Sequence, residues 1–168
     1  MPVASSRADM QECVLIKGRD QPAWTGTGLT GSSVAEQGLP IIVRDACDED
    51  VSALTALYAQ HVLHGLATFE VEPPDEAEMR RRLHDLTERG FPWLVAEALH
   101  GTTAAFAPAA DAGASPTIVG YAYAGPYRAR IAWRHTVEDS IYLLPAAMGR
   151  GIGRLLLTRL IEESTARG

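Results

Sequence analysis

The segment Met148-Gly149-Arg150-Gly151-Ile152-Gly153-Arg154 joins an apolar run to an apolar helical pattern. Glycines let a backbone turn tightly and present its N–H groups with no side chain in the way. The start of a helix adds unsatisfied donors and a dipole that favours an anion. Arg150 and Arg154 add positive charge. That combination suits a diphosphate. The common nucleotide patterns fit badly. A P-loop requires Gly-Lys-Ser or Gly-Lys-Thr, which the chain lacks. A dinucleotide fingerprint requires a third glycine where Leu156 stands. A structural turn and a nucleotide-binding domain remain open on the glycines alone.

Glu138 is the foremost titratable group. It is a carboxylate at the start of the apolar strand pattern Ser140-Ile141-Tyr142-Leu143-Leu144; position alone reads it as a surface residue at a strand start, with a proton acceptor as the alternative. His135 ranks second, because imidazole titrates near neutral pH. Asp139, next to Glu138, points to the opposite face if the strand is regular. His61, His64 and His84 show no metal-ligand spacing and are expected in ordinary polar roles, so no catalytic metal is expected. Arg128 and Arg130 follow a Tyr-Ala-Gly-Pro turn and suit an anionic acceptor group.

The run Tyr142-Leu143-Leu144-Pro145-Ala146-Ala147-Met148-Gly149-Arg150-Gly151-Ile152-Gly153 resembles the acetyl-CoA-binding motif of the GNAT acetyltransferases. Their pattern is Gln/Arg-x-x-Gly-x-Gly/Ala; Gly151 and Gly153 match, and Met148 replaces the Gln or Arg. Phe91-Pro92-Trp93-Leu94-Val95-Ala96-Glu97 and Tyr121-Ala122-Tyr123-Ala124-Gly125-Pro126-Tyr127-Arg128-Ala129-Arg130 are similar to signatures of the phosphinothricin acetyltransferase group. Ala132-Trp133, Thr136-Val137-Glu138, Thr68-Phe69-Glu70 and Glu72-Pro73 extend the likeness over 41–168.

The resemblance implies an α/β fold with a mixed sheet flanked by helices. It implies acetyl transfer from acetyl-CoA to the amine of a small amino-acid-like acceptor such as phosphinothricin, methionine sulfone or methionine sulfoximine. Glu138 falls on the family's catalytic glutamate, acting directly or through water. The turn from Met148 to Arg154, with the 140–144 strand edge at Tyr142, Leu143 and Leu144, would hold the coenzyme, and a backbone N–H near Leu143 would stabilise the oxyanion. Phe69, Trp93, Arg128 and Arg130 would meet the acceptor. Against the family pattern the chain is expected to stop after the acetyl-CoA-binding helix, short of the elements that complete the acceptor pocket. Two consequences are expected: self-association, commonly a homodimer in this group, or a weak or inactive acyl-CoA-binding interaction protein.

The positioning elements read as follows. Ile41-Ile42-Val43-Arg44 is a strand pattern. Val51, Leu54, Leu57, Tyr58 and Val62 recur at helical spacing and predict a helix over 48–62 capped by Asp48. Asp75 with Glu78 opens a second helix carrying Met79, Leu83 and Leu86, stopped by Gly90. Strands follow at 93–97, 118–124 and 140–144, then a helix with Leu155, Leu156, Leu160 and Ile161 as its inner stripe. Residues 1–40, rich in Gly, Ser and Thr, read as a disordered or loosely attached extension. The 100–116 segment reads as a surface loop insertion.

With 168 residues, 46% hydrophobic, the chain suits one globular domain. A net charge of -6 argues against a nucleic-acid surface. Arg80-Arg81-Arg82 reads as a solvated helix face. Cys13 and Cys47 are too few for a disulfide scaffold. No apolar run is long enough to span a membrane. A soluble, cytoplasmic protein is expected.

Overall fold

The computed structural model describes residues 41–66, 68–99, 106 and 117–167. The expected extension at 1–40 lies outside the described residues, as does the 100–116 insertion apart from Phe106. Strand β1 is Ile41–Asp45, helix α1 Val51–His64, helix α2 Glu76–Glu88 and strand β2 Trp93–Ala98. Strand β3 is Thr117–Pro126, strand β4 Val137–Leu143 and helix α3 Ile152–Arg167. The expected order of elements is the observed one.

The sheet runs β1-β2-β3-β4. All three pairings among the described residues are antiparallel; the parallel pair that a mixed sheet requires is not among them. Alternation along the strands sends side chains to opposite faces. Trp93, Val95, Tyr121 and Tyr142 pack with Val51, Leu54, Leu57 and Tyr58 of α1 and Met79 and Leu83 of α2. Leu94, Ala96, Ala98, Val119, Ala122 and Ala124 pack with Ile152, Leu156 and Leu160 of α3. That i, i+4, i+8 row is the inner stripe of α3. Leu155 and Ile161, expected in it, are exposed, because they lie on its flanks.

Asp48 does not cap α1. It opens a short 3-10 turn over Asp48–Asp50, and its carboxylate meets His84 Nε2 at 2.7 Å. Asp50, the residue before α1, makes no side-chain cap to that helix; its Oδ2 reaches back to accept the Cys47 backbone N–H at 2.9 Å and closes the 3-10 turn. Arg44 also donates to both Asp50 oxygens, at 2.7 and 2.8 Å, and to Glu97 at 2.7 Å. Burial pushes the Asp50 carboxyl up, but the bonds from Arg44 and the Cys47 amide outweigh it and hold the group below its ordinary value. This network ties the start of α1 to β1 and β2. At α2 the expected cap is present: Asp75 Oδ1 accepts Glu78 N–H at 2.8 Å. The Glu78 side chain turns to Arg81 and Arg82.

Candidate functional site

The turn before α3 is built by two glycines in the left-handed region. Gly149 has φ +73° and Gly151 φ +81°, conformations that strain any L side chain. Leu155 N–H bonds back to Gly151 C=O at 3.0 Å. The amides of Ile152, Gly153 and Arg154 precede that bond, where a helix has no internal acceptor. Met148, Arg150 and Arg154 are exposed around them. Arg150 and Arg154 have no carboxylate partner among the described residues, whereas Arg44, Arg82, Arg159 and Arg167 each have at least one.

β4 lies at the end of the strand order, so among the described residues it is paired on one side only. Leu144 N–H donates to Val119 C=O at 2.9 Å. The register places Gly120 opposite Leu143 and Tyr121 opposite Tyr142. Antiparallel ladders alternate, so the backbone of 138, 140 and 142 faces β3, while that of 139, 141 and 143 faces the unpaired side. The outward carbonyl of Leu143 is held by His61 Nε2 of α1 at 2.9 Å. The His61 ring also meets Tyr142 edge-on at 5.2 Å.

Tyr142 belongs to an aromatic group on the α1/α2 face of the sheet. It lies 5.0 Å from Tyr58 and 5.2 Å from Tyr121. Trp93 stacks on Tyr123 at 4.5 Å and on Tyr121 at 5.9 Å. Burial raises the Tyr121 and Tyr142 hydroxyls above the ordinary phenol range, so both stay protonated at neutral pH.

Glu138 sits in β4 opposite Gly125, on the side-chain face of Ser140 and Tyr142, and is exposed. The loop joining β3 to β4 carries Arg128 and Arg130. These two line an open cavity of about 530 Å³ with Ala129 and Trp133. The hairpin that presents Glu138 thus also presents the two arginines.

Phe69 and Trp93 do not join that cavity. Trp93 is 2% exposed in the core and lines a separate space of about 240 Å³ with Arg81, Arg82, Asp85, Leu86 and Tyr123. Its Nε1 is buried without a hydrogen-bond partner among the described residues. Phe69 stands fully in solvent. Its neighbours explain this: Tyr58 Oη bonds Thr68 at 2.9 Å and Glu70 at 3.0 Å, and Arg82 holds Glu70 at 2.8 Å. With Thr68 and Glu70 both turned inward, the residue between them turns out.

His61 was missed in the sequence as part of the site. A weak signal existed: it follows Tyr58 at i+3, on the same helix face. Phe106 was missed as well. It is 6% exposed, packed in the α3-side core, with the Arg150 guanidinium 5.1 Å from its ring centre. The expectation of a surface insertion fails at that residue, because its ring fills the apolar cluster.

Among the described residues no group of three or more His, Cys, Asp or Glu could hold a metal ion. No helix among them is long and apolar enough to cross a membrane.

The acetyltransferase (GNAT) family profile matches residues 63–168. The phosphinothricin N-acetyltransferase of Alcaligenes faecalis is 44% identical over 121 residues, covering 72% of this chain and 53% of that protein. The L-methionine sulfoximine/L-methionine sulfone acetyltransferase of Salmonella typhimurium is 32% identical, over 75% of this chain and 64% of its own. A crystal structure of a GNAT superfamily phosphinothricin acetyltransferase from Sinorhizobium meliloti, in complex with AcCoA, superposes with a TM-score of 0.63 at 41% identity; the match covers 75% of this chain and 60% of that one. The chain thus spans between half and two thirds of the length of these relatives. With its profile match, this level of identity and a shared fold, the chain belongs to the acetyltransferase (GNAT) family.

Proposed function

We propose that this chain carries the coenzyme-binding and proton-accepting part of an acetyl-CoA-dependent N-acetyltransferase acting on small amino-acid-like amines. Phosphinothricin, methionine sulfone and methionine sulfoximine are the acceptor candidates. The observation that carries this is the glycine turn at the start of α3, whose Gly153 lies close to the Leu143 side chain at the end of β4. The turn offers amides and two uncompensated arginines to a diphosphate. The outward amides of β4 offer hydrogen bonds to the pantetheine arm, and the Leu143 N–H suits the thioester oxygen. Leu144 N–H is already committed to Val119, so Leu144 would contribute through its side chain.

Glu138 is the proposed base. From residue 138 to residue 143 an extended strand spans roughly 17 Å, so the proton of the ammonium reaches Glu138 through ordered water. The freed nitrogen attacks the thioester carbon, and the Leu143 amide stabilises the oxyanion. Collapse breaks the C–S bond; the thiolate leaves and takes up the amine's remaining surplus proton. Arg128 and Arg130 hold the acceptor's carboxylate or phosphinate near the Glu138 end. Phe69, being free of the core, is available to close on a bound acceptor, while Trp93 supports the pocket from within. The half-paired β4 also favours self-association, which sedimentation would read.

Calorimetric titration with acetyl-CoA tests the coenzyme site. Gly151→Asp and Gly153→Asp should abolish or strongly weaken binding; unchanged binding in both would sink the assignment. Glu138→Gln should lower turnover about 10²–10⁴-fold with acetyl-CoA affinity retained, read as a pH–rate profile on methionine sulfone. Binding without turnover in the wild-type chain would instead favour a coenzyme-binding, catalytically weak protein.

A further inference from the structure

Arg150 is held between two left-handed glycines on a turn with no side-chain support from its neighbours. A long, rotamer-rich side chain there has much entropy to lose on meeting a ligand. The structure removes part of that freedom from elsewhere in the chain. Phe106, from the segment that the resemblance marks as an insertion, is buried in the apolar cluster that joins the sheet to Ile152, Leu156 and Leu160 of α3. Its ring lies 5.1 Å from the Arg150 guanidinium carbon.

The geometry of such a contact matters. A guanidinium packed on a ring uses its π-face, leaving its N–H donors in the plane for a bidentate anion. A carboxylate partner would consume those donors, and Arg150 has none among the described residues. A chain of net charge -6 thus keeps this cation uncompensated beside the open amides of α3.

We propose that Phe106 is a positioning residue for coenzyme binding, whose ring holds the Arg150 guanidinium ready for the diphosphate of a coenzyme A thioester. This rests on the coenzyme reading above and adds to it a residue outside the GNAT motif. The insertion then does more than extend a loop: it plants one aromatic side chain under the phosphate-binding turn.

The test uses the full 168-residue chain. Phe106→Leu keeps an apolar side chain in the core but removes the ring. Arg150→Gln removes the cation at an exposed position that folding does not need. Binding is read by calorimetry with acetyl-CoA and, at millimolar concentration, with S-acetyl-pantetheine, which has the same thioester arm and no diphosphate. Phe106→Leu should weaken acetyl-CoA about two- to five-fold, the range for an exposed cation–π contact, and leave S-acetyl-pantetheine unchanged. Arg150→Gln should weaken acetyl-CoA at least as much, and the double variant no more than Arg150→Gln alone. Equal weakening of both donors by Phe106→Leu, or additive effects in the double variant, would overturn the proposal. So would unchanged acetyl-CoA binding in Phe106→Leu while Gly151→Asp still abolishes it, which leaves the coenzyme site standing. If the wild-type chain binds no acetyl-CoA, both readings fall together.

Discussion

The two faces of the sheet are built from the same strands and do different work. Towards α3 the strands present small and aliphatic residues: Ala96, Ala98, Ala122, Ala124 and Val119. Towards α1 and α2 they present Trp93, Tyr121, Tyr123 and Tyr142, joined by Tyr58 and His61. Small side chains let α3 lie close on the sheet, which fixes the position of its first turn. Aromatic side chains bring hydroxyl and imidazole groups to the strand end where the thioester is proposed to sit. Alternation along the strands, reset by the irregularity at Ala96/Glu97 that brings Val119 to the α3 side, therefore separates an aliphatic support from the aromatic surface where the chemistry is proposed. The polar face needs anchoring that the aliphatic face does not, and the Arg44–Asp50–Glu97 network supplies it at the root of α1.

The largest expected effect breaks that anchor. Asp50→Asn leaves the partly buried Arg44 with a neutral amide in place of one of its two carboxylates, a loss at the low end of the roughly 3–5 kcal/mol for a broken buried pair. The carboxyl is depressed in the folded chain. Its stabilisation is therefore complete above the unfolded value near pH 4 and lost as pH falls through the folded one. Urea unfolding should show the wild type losing stability below about pH 4, with Asp50→Asn flatter there and weaker at pH 7. A variant as stable as wild type at neutral pH would make the network an ornament of the α1 face.

The next change strikes the other face. Leu156 is fully buried between α3 and the sheet. Leu156→Ala should cost about 2–5 kcal/mol and loosen acetyl-CoA binding, since α3 carries the turn. Near-ultraviolet circular dichroism should stay close to wild type, because Trp93 and the buried tyrosines lie across the sheet. A large change in that spectrum would show that the two faces are not separable.

The smallest expected effect sharpens the role of the aromatic side. His61→Leu removes the donor to Leu143 C=O, worth about 1 kcal/mol. Turnover should fall several-fold with acetyl-CoA affinity unchanged, and His61→Gln, which keeps a donor, should recover most of it. Equal loss in both variants would reduce His61 to packing.

Much of this was legible before the structure. The strand and helix order followed from apolar periodicity, and the Asp75 cap from a pattern spanning one helical turn. The tight turn before α3 was legible because its requirement is local: Gly149 and Gly151 occupy positions where only glycine is unstrained. Asp48 was misplaced as a cap because a 3-10 turn precedes α1 and begins at Asp48, and its carboxylate goes instead to His84, distant in sequence. Leu155 and Ile161 were misplaced because α3 buries a narrower stripe than its apolar content suggests.

The sequence by itself determined the family and the turn, since both rest on residues adjacent in the chain whose backbone geometry is fixed locally. Tertiary structure alone decided that Phe69 faces solvent, because Thr68 and Glu70 are drawn inward by Tyr58 and Arg82. It alone decided that Trp93 is core and that His61 holds the Leu143 carbonyl. It alone set Phe106 under Arg150. These contacts join residues far apart in sequence, and only the packing of helices against a twisted sheet brings such residues within reach of one another.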